Sequence, residues 1–317
     1  MFDFFVRQFR YIIPMLLMAM LPACSRSSAD ENNDAADAAS EALSDRLRSL
    51  VADAPGEIGI AVIFDGKDTV CVGDDVKYPL MSVFKLHEAL AVCNELDRRG
   101  AGLDSILHIS RSELADDTWS PMLKRYPAGD IDVAVGELID NILIDSDNNA
   151  SNILFDRICP VAQADSFVRS LGIADDFRLV VTEEDMHREH DKAYLNWSSP
   201  RACAELVDKV FRDSVVSESK QRHIIRAMKA CDTGNARLSA GLAGKKDVTF
   251  AHRTGSGYTN ERGEVVAVND IGYVALPDGR GYSIAVLVKD YAGGQEEAER
   301  FIARISAMVY DHFSEVE

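Results

Sequence analysis

The sequence predicts an α+β fold in which a sheet drawn from both ends of the chain carries an inserted helical block. Three observations predict it. The β-rich runs Glu57–Phe64 and Thr69–Val72, joined by an Asp65-Gly66-Lys67 turn, stand before the block. Helical periodicity then prevails from Ser82 to about Lys229. Three more β-rich runs, Thr249–Thr254, Val265–Leu276 and Tyr282–Lys289, follow it, and an amphipathic helix over Gln295–Tyr310 closes the chain. At 317 residues, 47% of them hydrophobic, there is enough chain for one large domain or for two lobes sharing a cleft. The formal charge of -18, unrelieved by any Lys/Arg stripe, argues against nucleic acid as a partner and otherwise reads as solvated surface.

Taken in order, Arg7 and Arg10 precede the apolar run Tyr11–Met20, which is too short for a membrane span and reads as an export signal over residues 1–24. Leu21-Pro22-Ala23-Cys24 resembles the lipobox of bacterial lipoproteins, with Cys24 as the lipidated membrane tether. Pro22 is an uncommon occupant there, and plain cleavage after Ala23, releasing a periplasmic protein, is the alternative. Residues 25–43, rich in Ser, Ala, Asn and Asp, are expected to form a flexible tether, and the folded domain to span 44–317. Beyond the signal, Cys71, Cys93, Cys159, Cys203 and Cys231 show no C-x-x-C or zinc spacing; up to two disulfides and buried free thiols both satisfy the pattern.

Ser82-Val83-Phe84-Lys85 opens the helical block and sets a hydroxyl and an amine one turn apart, on one face, where the helix N-terminus adds positive potential. A chance S-x-x-K is expected about once in such a chain. Ser217-Glu218-Ser219-Lys220 is one, lying in a charged stretch, whereas Ser82 follows Tyr78-Pro79-Leu80-Met81 and precedes the apolar series Leu86, Ala89, Leu90, Val92, Cys93. Met81, Phe84 and His87 read as core packing. A second constellation, Ser146-Asp147-Asn148, lies between Leu138–Ile144 and a new helix near Ala150, where a helix cap is an equal reading. A third, Arg253-Thr254-Gly255-Ser256-Gly257, ends a predicted strand and reads equally as an edge strand entering a glycine turn.

Together, in this order, S-x-x-K, S-D-N and a basic residue before T-G resemble the class A serine β-lactamases over the chain from about Ser44 to its end. The resemblance implies an antiparallel sheet flanked by helices beside an all-helical lobe, with the active site between them. It also implies a deacylating acid. In Thr182-Glu183-Glu184-Asp185-Met186-His187 the register favours Glu183 over Glu184, with His187 where the family usually has asparagine. That variant resembles a cephalosporin-hydrolysing subgroup, as does the stretch Ser146–Asn152.

The roles implied are Ser82 as nucleophile, and Lys85 or Glu183 through water as acceptor of its proton. Ser146 would be the proton relay to the lactam nitrogen, and the backbone N–H groups of Ser82 and Ser256 the oxyanion hole. Asn148 would bind the acylamino side chain, and Arg253, Thr254 and Ser256 the rest of the substrate, Arg253 replacing the usual lysine. The arginine often found on the next strand is not evident, Arg262 lying in a polar turn, but Thr233-Gly234-Asn235-Ala236-Arg237 resembles the variant in which an arginine from the preceding turn does that work. Arg237 is thus the second carboxylate candidate, an ordinary surface charge being the alternative. Trp119 would stack at the cleft mouth, simple packing being the alternative, and His187 would share a water with Glu183. His187 and His190 suggest a metal only weakly without an H-E-x-x-H helix. No metal or cofactor is expected; the implied partner is a small-molecule β-lactam and the chain is expected to act as a monomer. Two alternatives remain at this level. A D-alanyl-D-alanine peptidase or penicillin-binding protein would share the three motifs but lack the Glu183 function. A non-catalytic envelope lipoprotein or antibiotic sensor would be expected to carry a further membrane-spanning part, and no second apolar segment is long enough to span.

Overall fold

Ala29, Ala35, Ala36, Ala38, Ala39 and Ala42, with Glu31 and Glu41, favour helix over residues 28–43. The computed structural model, which describes residues 28–315, accordingly places there the start of helix α1 (Ser28–Val51). The expected tether over 25–43 is therefore corrected: it is helical from Ser28, and Leu43, like Leu47, is fully buried. Low hydrophobicity suggested a loose segment, but alanine supplies helix without supplying hydrophobic bulk. The export signal 1–24 and Cys24 lie outside the described residues.

The chain then makes β1 (Glu57–Phe64) and β2 (Asp68–Val72), reversing through Asp65 and Gly66, whose φ values of 48° and 69° match the twist of a tight hairpin. After the two-residue β3 (Tyr78–Pro79) comes α2 (Phe84–Arg99), stopped by Gly100 in the left-handed conformation at φ 63°. The helical lobe is built from α3 (Pro121–Arg125), α4 (Val135–Leu143), α5 (Asn148–Arg157) and α6 (Val161–Ser170). It continues through α7 (Glu183–Arg188), α8 (Pro200–Arg212), α9 (Glu218–Lys229) and α10 (Leu238–Gly241). Two small sheets that periodicity did not reveal brace this lobe. One pairs β4 (Ile106–Ile109) with β5 (Ile131–Ala134); the other sets β6 (Phe177–Arg178) and β3 on either side of β7 (Trp197–Ser198). The chain ends in β8 (Thr249–Ser256), β9 (Val265–Ala275), β10 (Gly281–Tyr291) and α11 (Gln295–Glu315).

The main sheet runs β2-β1-β10-β9-β8, antiparallel throughout, with β1 paired to β10 from Glu57↔Lys289 to Phe64↔Tyr282. Both faces are covered, so β1 reads as a continuous apolar run and its side chains alternate between two cores. Ile60 and Val62 join Leu43, Leu47, Ile302 and Val309 beneath α1 and α11. Ala61 and Ile63 face the helical lobe, where twelve of the 16 residues of α2 are buried. A helix buried all round fixes the position of anything at its N-terminus. Ser82 is there.

Candidate active site

Ser82 lies in the single 3₁₀ turn Met81–Val83 that leads into α2, with Met81 held at φ 45°. Close approach of β8 holds this turn. A Cβ on Gly255 would meet the Leu80 carbonyl oxygen at 2.5 Å, so glycine alone fits there. Asn269, buried in the middle of β9, donates Nδ2 to the carbonyls of Pro79 (2.7 Å) and Leu80 (3.1 Å), and the Leu80 N–H donates to Asn196 O at 2.9 Å. Sequence reasoning missed Asn269 and Asn196. The signal was present for the first, since two consecutive polar residues, Asn269 and Asp270, interrupt an otherwise largely apolar strand, and both are buried, where polar groups need partners.

Lys85 follows one turn later, fully buried, its Nζ ringed by oxygens: Asn148 Oδ1 at 2.6 Å, Glu183 Oε1 at 2.8 Å, Ser146 O at 2.9 Å, Ser82 Oγ at 3.2 Å and Ser146 Oγ at 3.4 Å. Burial pushes the amine below the usual lysine range and Arg253 pushes the same way, while Glu183 opposes them. Ser82 Oγ donates to Glu183 Oε1 at 2.9 Å. Glu88, one turn further along α2 and fully buried, has its carboxyl pushed well above the usual range by desolvation and accepts the Ser151 hydroxyl at 2.7 Å. The second S-x-x-K has a different use: Ser217 N and Lys220 Nζ both donate to Asp97, tying α9 to α2.

In Ser146-Asp147-Asn148 the cap and the motif are one structure. Asp147 caps α5, accepting from Ala150 N at 2.9 Å, and also takes the Ser120 hydroxyl and Met122 N. Ser146 is thereby held at φ 62°, a left-handed conformation costly for serine, which turns its carbonyl onto Lys85. Asn148 spans Lys85 and the Thr118 hydroxyl. Glu183, almost buried, opens α7 behind a capping box of Thr182 and Asp185, and Asn196 stitches the base of that loop through the backbone of Val180 and Val181. Glu184 points away to Arg188. His187 is not aimed at Glu183: its Nε2 pairs with Asp117 Oδ2 at 3.0 Å across the cleft mouth, and that bond holds the Asp117 carboxyl below its usual range. His190 stacks instead on Tyr258 with ring centroids 4.4 Å apart, so the two histidines have separate partners.

On β8, Arg253 is fully buried and reaches the site from beneath, donating Nη2 to Ser146 Oγ at 2.7 Å. Arg237 is no surface charge. Only 2% exposed, it donates to the carbonyls of Gly255 and Asn269 and to Ser256 Oγ at 2.5 Å, and pairs with Glu299 at 3.2 Å. Neither arginine lines the cleft; each acts on it through a serine hydroxyl. The cleft itself is about 700 Å³. Ser82, Ser146, Asn148, Glu183, His187, Thr254 and Ser256 line it, as do Trp119 and Met81, the latter expected in the core. Trp119 is 55% exposed and anchored by its Nε1–H to Asp145 O. All five described cysteines are reduced. Among the described residues no helix is long and apolar enough to cross a membrane.

Comparisons with known proteins place the chain in one family. A model described as the Beta-lactamase enzyme family matches residues 42–313. A beta-lactamase of Phocaeicola vulgatus is 44% identical over 268 residues, 84% of each chain. The extended-spectrum beta-lactamase PER-1 of Pseudomonas aeruginosa is 31% identical over 86% of this chain and 88% of that one. The crystal structure of TLA-3 extended-spectrum beta-lactamase is similar with a TM-score of 0.83 at 31% identity, covering 86% of this chain and 99% of that one. A class A beta-lactamase from Bacteroides cellulosilyticus is similar with a TM-score of 0.82 at 32% identity, over 87% and 98%.

Proposed function

The chain belongs to the class A serine β-lactamases, and from that premise we propose that it hydrolyses cephalosporins through an acyl-enzyme on Ser82 that Glu183 clears with an activated water. The single observation that carries the mechanism is the hydrogen bond from Ser82 Oγ to Glu183 Oε1 at 2.9 Å. Lys85, surrounded by acceptors, acts as a donor and electrostatic support, so the serine proton goes to Glu183 as the Oγ–carbonyl bond forms. When the lactam C–N bond breaks, the nitrogen takes the Ser146 hydroxyl proton, for Ser146 Oγ accepts from both Arg253 and Lys85 and keeps its own hydrogen for the leaving group. The proton held by Glu183 passes through the Lys85 amine to the Ser146 oxygen, resetting both groups. Water then attacks the ester carbonyl as Glu183 takes its proton, and Glu183 returns that proton to Ser82 Oγ as the ester C–O bond breaks.

The cephalosporin preference rests on the subgroup resemblance at His187 and over Ser146–Asn152, and on relatives whose names include extended-spectrum enzymes. Antibiotic resistance as the biological role, export to the periplasm, attachment through Cys24 and a monomeric state belong to the same proposal, export resting on Arg7, Arg10 and the apolar run Tyr11–Met20.

A chromogenic cephalosporin with wild type, Ser82→Ala and Glu183→Gln, read by turnover and intact mass, tests it. Expected are fast turnover, no adduct in Ser82→Ala and an accumulating acyl adduct in Glu183→Gln. A stable adduct already in wild type would make the chain a trapping protein of the peptidase or sensor kind.

A further inference from the structure

The bond between Asp117 and His187 joins two walls of the cleft mouth, and the chemistry at Ser82 makes no use of it. One wall is the segment 115–119, pinned along its length to the start of α5. Asn149 exchanges hydrogen bonds of 2.9 and 3.0 Å with the Ala115 backbone, and Asn148 donates its Nδ2 to the Thr118 hydroxyl and its backbone N–H to Trp119 O, both at 3.0 Å. The Trp119 indole is fixed to Asp145 O at 2.9 Å, with the Lys124 ammonium 4.8 Å from its ring centroid. Asp117 departs from this pattern: its side chain bonds not to α5 but to α7, Oδ2 meeting His187 Nε2 at 3.0 Å. The second wall is α7, whose first turn is held by Asn152, which accepts from Glu184 N at 3.2 Å. His187 stands one turn beyond Glu183 on the same face, and both line the cleft. The bond thus crosses the mouth one residue from the contact of Thr118 with Asn148, the group proposed to hold the acylamino side chain.

We propose that Asp117 and His187 form a strap over the acylamino end of the cleft that selects substrates by the size of their acyl side chain. A group held at Asn148 leaves the cleft between the segment 115–119 and α7. A slim one passes beneath the strap, whereas a wide or branched one must break it to bind. Exposed pairs of this kind are weak because two side chains have to be ordered to make them. Here much of that ordering is already done, since Asp117 lies in a segment fixed by its neighbours' bonds and His187 on a helix with a capping box. Both side chains nevertheless meet solvent, 41% exposed for His187 and 78% for Asp117, so the strap biases selection and does not gate it absolutely.

This inference rests on the proposed hydrolysis of cephalosporins, and its test separates the two. The kcat/KM is measured for two chromogenic cephalosporins, one with a methyl-sized and one with a branched acyl side chain. Wild type, Asp117→Ala, His187→Ala and the double variant are compared, with melting temperatures recorded for each. Asp117 is the decisive position because, unlike His187, it does not line the cleft, so truncating it cuts the strap without widening the wall. Asp117→Ala is expected to raise the branched-to-small ratio of kcat/KM about fivefold, the upper scale of an exposed pair, mainly through a lower KM for the branched substrate. Once Asp117 is gone, His187→Ala should raise the ratio less than it does in wild type, because the strap can be cut only once. A ratio unchanged in Asp117→Ala, or effects of the two substitutions that simply add, overturns the proposal. A second readout needs no substrate. In a Trp197→Phe background Trp119 is the sole tryptophan, and Asp117→Ala should increase its quenching by acrylamide as the segment loosens. Should wild type turn over neither cephalosporin, the proposed function fails and the quenching alone decides the strap: an increase supports it, and equal quenching overturns it.

Discussion

Lys85 Nζ lies 2.8 Å from Glu183 Oε1, the same oxygen that accepts the Ser82 hydroxyl, so the serine hydroxyl, the lysine amine and the carboxyl group meet at one atom. In the proposed mechanism Glu183 gains a proton beside this buried cation, which makes that gain uphill unless the lysine charge also steadies the oxyanion forming on the substrate. Losing the amine should therefore hurt acylation. Lys85→Ala is expected to lower kcat/KM about a thousandfold with the fold intact. Because burial pushes Lys85 below the usual lysine range, the alkaline limb of the wild-type kcat/KM profile should also fall below that range; a limb at the ordinary lysine position would contradict the geometry.

Asp147 is the structural centre of the S-D-N turn. Fully buried, it accepts hydrogen bonds from Ser120 Oγ, Met122 N and Ala150 N, locking α3 to the start of α5. Bonds to a buried charge are the strong kind, and removing the acceptor leaves two backbone N–H groups unsatisfied. Asp147→Ala should cost about 3 kcal/mol in urea unfolding, and Asp147→Asn, which keeps an acceptor, clearly less. Equal losses would mean that the carboxylate charge plays no part in the cap.

The contrast between these two residues shows what the chain discloses in one dimension. Ser82, Lys85, the S-D-N turn and Glu183 stand in short motifs, because their chemistry needs fixed local spacing, and β1 and β10 are visible because strands buried on both faces are apolar throughout. The roles of Asn269 and Asn196, which hold the Ser82 turn and the Glu183 loop, could not be assigned: the polar break in β9 marks Asn269, but the partners of both are backbone atoms that only the fold brings near. His187 was placed on a shared water from a neighbouring motif, whereas Asp117, 70 residues away, claims its Nε2. Arg253 and Arg237 were read as groups facing substrate. Burial beneath β8 instead makes each act through a serine hydroxyl, a distinction that only packing decides.

Arg237 carries a prediction of its own. Its guanidinium holds Ser256 Oγ and two carbonyls of β8 and β9 while Glu299 balances its charge. A carboxylate-bearing substrate would meet Ser256, not Arg237, so loss of the arginine should loosen ground-state binding more than it slows chemistry. Arg237→Lys, which keeps the charge but not the planar fork, is expected to raise KM about tenfold with kcat changed little. A fall confined to kcat would place Arg237 in the chemical step.

His87 should weaken the fold in acid. It is 1% exposed within α2, faces the Phe177 ring at 5.9 Å, and neither ring nitrogen has a well-formed hydrogen bond. Desolvation lowers its pKa to about 4, the Val83 backbone and Asp165 opposing only in part. In the unfolded chain the same imidazole titrates near 6.5. Between those values the unfolded state binds the proton and the folded state does not, so stability rises with pH across the window and is lost as pH falls from about 6.5 to about 4. The loss contributed by this one residue amounts to about 3 kcal/mol at the acid end. His87→Met fills similar space with no group to titrate. Its stability relative to wild type should therefore grow steadily on acidification and level off below pH 4. A difference between the two proteins that stays constant from pH 7 to pH 4 would show that His87 takes up its proton inside the folded core.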